Sequence, residues 1–300
     1  MRILITCFLF SISIALSAQD YPQFSQHVNL QGLINPAYNG SRESYSALLV
    51  SRNQWGGAVT THALNAHAPL PIDGMGGGLV VMQDNIGLNS SLRTVAGVSY
   101  HLKISKDVIL AAGLQGGFER NQVGDASLIN PNDMAVDEFG RTTTRLSTGL
   151  GFYLYSPDYF AGLSLPEILP DGVAGDGTVY NDIPLLLYGG VLLDAIDDVI
   201  LKPTAFLQMT YATPLMLELG VQAFYKDYGS VGISTRAYPF SSVVFNTEVK
   251  IIDNLFVGYS YDLMFGASQG MTKGAHEISI RYDISAINLL TKPAGSMRYF

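Results

Sequence analysis

The sequence predicts an all-β chain: a transmembrane outer-membrane β-barrel of about 14 antiparallel strands, with a short N-terminal extension as a candidate plug. Three observations carry this expectation. The composition suits lipid better than water, because 48% of the 300 residues are hydrophobic, only 14% are charged and 31 are glycine, against roughly 25% charged in a typical globular domain. After the leader, no run of about 20 predominantly apolar residues exists for a membrane helix. The uncharged stretches Tyr21 to Ser41 and Asn53 to Ile72 are broken by Gln, Asn, His, Ser and Pro. Only helices and closed barrels satisfy every backbone group inside a bilayer, so the barrel is the surviving membrane architecture. Finally, segments of about 10 residues with alternate positions apolar recur between turn residues, as barrel strands require.

Residues 1–18 read as a signal peptide, with Met1-Arg2 as a positive start, Ile3 to Leu16 as an apolar core and Ser17-Ala18 as a small-residue exit. Cleavage after Ala18 leaves Leu16 three places back, and cleavage after Ser17 leaves Ala15 there; both cuts stay open. Either removes Cys7, the single cysteine, so the mature chain has no disulfide and no thiol chemistry. A lipoprotein anchor on Cys7 fits poorly, because the apolar run continues past it. Residues 19–43 follow as an N-terminal periplasmic or plug segment, 44–284 as the barrel and 285–300 as a C-terminal segment.

Strands are expected near 44–54, 59–69, 75–83, 91–103, 108–120, 144–155, 158–164, 183–193, 198–211, 214–225, 229–238, 242–250, 254–262 and 275–284. The clearest alternation sets Leu92, Thr94, Ala96, Val98, Tyr100 and Leu102 against Arg93, Ser99, His101 and Lys103. One face suits lipid and the other a polar lumen. An even strand number brings both ends of the barrel chain to one side. The connections Asn121 to Thr143, Leu165 to Asp182 and Leu263 to Gly274 then share the opposite side. Bacterial barrels keep their long loops outside and their short turns in the periplasm, so these three are expected at the cell surface.

The lumen positions carry both signs: Arg52, Arg93, Lys103, Arg145, Lys202, Arg236, Lys250 and Arg281 alongside Glu119, Glu218, Glu248, Asp262, Glu277 and Asp283. Buried charges persist when paired and hydrogen-bonded. Mixed signs therefore fit a lumen crossed by ion pairs, and the competing reading is that they line water in a small porin. The net charge of −8 gives no electrostatic reason to bind nucleic acid.

No catalytic constellation and no cofactor or metal motif emerges, so the chain is expected not to be an enzyme. Gly74-Met75-Gly76-Gly77-Gly78 lacks the last glycine of a dinucleotide loop and the lysine of a phosphate loop. His62 and His67 are five apart, which sends them to opposite faces of a strand. Gly258 to Asp262 misses the final glycine of a nucleophile elbow. Asp171 to Gly177 could turn around calcium but lacks EF-hand oxygen spacing.

Pro22-Gln23-Phe24-Ser25-Gln26, Asn35-Pro36-Ala37-Tyr38-Asn39-Gly40 and Arg52-Asn53-Gln54-Trp55 resemble the opening of the PorP/SprF family of type IX secretion system membrane proteins. Lys202-Pro203, Gly232 to Arg236, Val257 to Asp262, Gly274 to Ile280 and Arg298-Tyr299-Phe300 agree with it in order and spacing. A cysteine often found shortly before that ending in relatives is absent. The resemblance implies an outer-membrane protein of a Gram-negative bacterium that assists export or surface anchoring of secreted proteins, including gliding adhesins. Its partners would be outer-membrane lipid, other type IX components and a secreted client. The alternative is a porin-like solute channel. The residues singled out for a lumen, partner or structural role are Asn35, Pro36, Arg52, Asn53, Trp55, Arg236, Asp262, His276, Glu277 and Arg281. Asn35-Pro36 biases the chain to extended geometry before the proline, a defined strap entering the barrel, with Arg52 pointing inward beside it.

Overall fold

The computed structural model describes residues 24–42, 44–124, 142–169, 172–173, 179–180, 183–196, 198–210, 215–237, 242–265 and 274–285. Residues 1–18, expected as a signal peptide, most of the calcium-like turn, most of the three long connections and the C-terminal motif lie outside these residues.

Fourteen strands form the wall: β1 (Ser44–Gln54), β2 (Val59–Pro69), β3 (Met75–Ile86), β4 (Asn89–Lys103), β5 (Ile109–Val123), β6 (Thr142–Tyr155) and β7 (Tyr159–Leu165), then β8 (Leu185–Val191), β9 (Val199–Met209), β10 (Met216–Tyr225), β11 (Gly229–Ala237), β12 (Ser242–Ile252), β13 (Leu255–Met264) and β14 (Ala275–Ser285). Each pairs antiparallel with its neighbours in sequence. The sheet closes through β1 with β14, where Ser44 faces Ser285 and Arg52 faces Glu277. Among the described residues no wall strand is left without a neighbour on either side, which is what a membrane interior demands.

The first two strands fall on the expected bounds. The largest differences are at β3 to β5, which run further toward the loop end than the alternation suggested, and near 183–193, where β8 is shorter. There a four-residue strand, Leu193–Ile196, folds back on β9 with a register shift at Asp194 to Ile196. A two-residue hairpin, Gly172–Val173 with Val179–Tyr180, sits in the β7–β8 connection.

Alternation fixes the two faces. Leu49, Val98, Leu114, Phe118, Leu146, Leu219 and Ile280 are among the outward, exposed side chains, whereas Arg93, Ser147, Glu218 and Ser279 on the same strands are buried inside. An exterior this apolar has no stable place in water. Aromatic side chains mark both rims, with Trp55 and Tyr259 toward the loop end and Tyr45, Tyr100, Tyr225 and Tyr228 toward the other, as girdles at membrane interfaces do. The turns at 226–228 and 253–254 lie at the end where β1 begins, and the β5–β6 and β7–β8 connections lie at the opposite end. At the short-turn end Lys226 pairs with Asp198 at 2.9 Å, and the hydrogen bond it donates to that carboxylate raises the ammonium pKa.

The interior is filled by the chain itself. Residues 24–42 run through the lumen as a strap: a turn at 25–29, a single helical turn α1 (Gln31–Ile34) and a 3-10 turn over Pro36–Tyr38. Its side chains are almost all buried against the wall. The strap is inverted relative to β1. Ser25 meets Asp262 and Glu277 near the loop end, and Arg42 meets Asp283 at the base from which β1 starts.

A single-cysteine scan tests the orientation. Leu88→Cys, in the β3–β4 turn, should react with a membrane-impermeant maleimide on intact cells. Asp227→Cys, in the β10–β11 turn, should react only after the outer membrane is permeabilised. The opposite pattern would invert the barrel.

Candidate functional site

The strap and the lumen wall meet in two chemically distinct halves. At the loop end, parity along β1, β10, β11, β13 and β14 turns Arg52, Glu218, Arg236, Asp262 and Glu277 inward, all 3% exposed or less. Arg52 bridges Asp262 at 2.7 Å and Glu277 at 3.4 Å. Arg236 bridges Glu218 at 2.8 Å and Asp262 at 3.4 Å. Three carboxylates thus share two guanidiniums, and the imbalance is met by the strap. The amides of Ser25 and Gln26 donate to the two oxygens of Glu277 at 2.8 and 3.0 Å. The Ser25 hydroxyl donates to Asp262 at 2.5 Å and accepts from Arg52. Arg236 donates to the Phe24 carbonyl at 3.4 Å, and His27 lies 3.7 Å from Glu218. Hydrogen bonds to a charged group contribute about 1.5–3 kcal/mol each, so these contacts are an electrostatic requirement as well as a tether.

The other half is apolar. Leu30, Leu33, Ile34, Ala37 and Tyr38 of the strap join one cluster with Tyr153, Phe160, Leu186, Tyr188 and Phe206 of the wall. Burying one Leu or Ile side chain contributes roughly 1.5–3 kcal/mol. Asn35 is a buried polar residue within this half. Its carboxamide oxygen caps the 3-10 turn by accepting from Ala37 at 2.9 Å, while its nitrogen donates to Phe152 at 3.0 Å and to the Tyr188 hydroxyl at 3.1 Å. Pro36 is the first residue of that turn, where its missing N–H costs nothing. Glycines on the wall make room for it. A Cβ at Gly113 would overlap the main chain of Pro36 and Ala37, and one at Gly151 would overlap the Asn35 side chain.

Two further sets complete the lumen. At the base Arg281 binds Glu248 through both terminal nitrogens, at 3.0 and 2.9 Å. It also reaches Asp283 at 3.0 Å, which in turn accepts from Arg42 at 3.4 Å. From above, the start of the β7–β8 connection folds inward, so that Glu167 accepts from Ser147 at 2.7 Å and Arg93 binds the Pro166 carbonyl. Among the described residues, no group of three or more His, Cys, Asp or Glu is placed to hold a metal ion.

Of the ten residues singled out from sequence, Asn35, Pro36, Arg52, Arg236, Asp262, Glu277 and Arg281 converge on the lumen. Asn53, Trp55 and His276 do not. Asn53 and His276 face each other across the β1–β14 ladder one residue out of phase with Arg52 and Glu277, which puts them on the outer face. There His276 shares a hydrogen bond of 2.8 Å with the Tyr259 hydroxyl, and its ring centroid lies 4.8 Å from that of Tyr261 in a tilted arrangement. Sequence reasoning missed Arg42 and the aromatic set Tyr153, Tyr188 and Phe206. Tyr153 and Tyr155 break the polar side of the β6 alternation and were the available signal.

Residues 16–282 match the family described as type IX secretion system membrane protein PorP/SprF. No curated protein matches the chain. Among solved structures, the CymD monoaromatic hydrocarbon channel is 11% identical over 88% of this chain and 94% of its own, with a TM-score of 0.53. The Acinetobacter baumannii outer membrane protein Omp33 is 8% identical over 80% and 99%, with a TM-score of 0.47. At such identity the likeness is one of barrel fold.

Arg52→Ala leaves Asp262 and Glu277 buried with one guanidinium fewer. It should destabilise the barrel by about 3–5 kcal/mol, seen as a lower temperature for the heat-modifiable shift on gels. Asn53→Ala, one residue away on the outer face, should change it by about 0.5 kcal/mol or less. Equal effects would contradict the lumen network.

Proposed function

The chain belongs to the PorP/SprF family of type IX secretion system membrane proteins, and from that premise we propose that it is a noncatalytic barrel that assists export or surface anchoring of secreted proteins, adhesins among them. It is an outer-membrane protein, and the family supports association with other components of the secretion machine. The apolar outer face supports direct contact with lipid.

The observation that carries the reading is the lumen sealed by its own strap. A solute channel needs a continuous aqueous path, whereas here Ser25 to Tyr38 occupy the interior with nearly every side chain buried. A closed wall with an occupied interior works as a rigid scaffold, and its binding surfaces lie at the loop mouth and the lumen end beneath it. The solved barrels it resembles include channels, but a porin-like role for this chain requires the strap to leave the lumen.

Crosslinking in intact cells followed by affinity capture tests the proposal. Type IX components and at least one secreted protein should be recovered with the barrel. Capture of neither, from a barrel correctly inserted in the outer membrane, would overturn it.

A further inference from the structure

The loop-end half of the strap is recognised mainly through its backbone. Consecutive amides of Ser25 and Gln26 fill both oxygens of Glu277, and the Phe24 carbonyl accepts from Arg236. Among its side chains the Ser25 hydroxyl is held between Arg52 and Asp262, Gln26 Oε1 accepts from Ser279 at 3.2 Å, and His27 lies 3.7 Å from Glu218. Any short peptide segment that places a small hydroxyl residue after an aromatic one presents the same groups.

Neither half meets every buried polar group, but the loop-end half also holds a cavity. At the loop end the Gln26 side-chain Nε2, the Arg52 Nε and the Asn246 carboxamide oxygen are buried with no hydrogen-bond partner, as are Gln31 Oε1, Asn39 Oδ1 and the Tyr153 hydroxyl in the other half. A cavity of about 20 Å3 lies beside Gln26, His27, Glu218 and Asn246, room for about one water. The other half has main chain packed directly onto wall glycines and an aromatic cluster behind it. The strap joins no sheet, and its covalent connection to the wall is at its base, into β1. The loop-end half can therefore leave while the apolar half stays docked.

We propose that the bowl formed by Arg52, Glu218, Arg236, Asp262 and Glu277 is a peptide-binding site, filled in cis by Phe24 to Gln26. In trans it takes a peptide segment with a small hydroxyl residue following an aromatic, presented by an exported protein. The source of that peptide rests on the secretion reading, but the site does not. A tethered occupant competes at an effective concentration of roughly millimolar, and a ligand's apparent affinity falls in proportion to the fraction of sites left open. Weakening the cis occupant should therefore expose the site.

The test uses the purified full-length protein and a fluorescent peptide of sequence Gln-Phe-Ser-Gln-His-Val-Asn. The peptide should bind the Phe24→Ala/Ser25→Gly double variant at least tenfold more tightly than the unmodified protein. A peptide of the same composition in scrambled order should not bind. Adding Glu277→Gln to the double variant should weaken binding again by about tenfold. If the double variant does not fold, Ser25→Gly alone carries the same comparison. Absence of binding to a variant that retains its heat-modifiable shift, or equal binding of the scrambled peptide, would overturn the site. Crosslinked partners report separately on the secretion reading, so either can fail without the other.

Discussion

The structure depends on one electrostatic constraint. Glu218, Asp262 and Glu277 sit inside the barrel against the guanidiniums of Arg52 and Arg236, and a buried charge without full compensation is among the most costly features a fold can carry. Two strap amides and one hydroxyl supply what the guanidiniums do not. Buried ion pairs by themselves are weak evidence of stability, because desolvation offsets much of the attraction. Their effect here is specificity: an empty lumen would leave Glu277 without its two strap donors, so the wall favours the state in which the strap is seated.

The rest of the architecture follows from seating it. Polar groups can line the interior because they have partners there. The outer face is consequently free to be apolar at position after position. Glycines 113 and 151 keep the wall thin where the strap main chain passes, which gives part of the high glycine content a structural purpose. Tyr188 joins the two chemistries, since its ring packs in the apolar cluster while its hydroxyl accepts from Asn35.

Much of this was legible from residues alone. Period-two alternation located all fourteen wall strands and put Arg52, Glu277 and Arg281 inside, because parity is local and needs no partner strand. Parity also shows why Asn53 and His276 face outward, although grouping them with a neighbouring inward residue obscured it. The strap's path was not legible. It has no repeat, its helical turn α1 spans only Gln31–Ile34, and its contacts reach residues more than two hundred positions away, such as Ser25 with Glu277. The aromatic side of the lumen was hidden for a related reason. Tyr153 and Phe160 look like ordinary membrane-strand residues until a partner inside the barrel is known.

If the barrel is the scaffold proposed above, any passage through it requires displacement of the strap. Conductance in planar lipid bilayers measures this most directly. The purified full-length protein should show no large steady conductance, and Gly113→Val, whose side chain needs the space of Pro36 and Ala37, should open it. A large steady conductance from the unmodified protein would contradict the account.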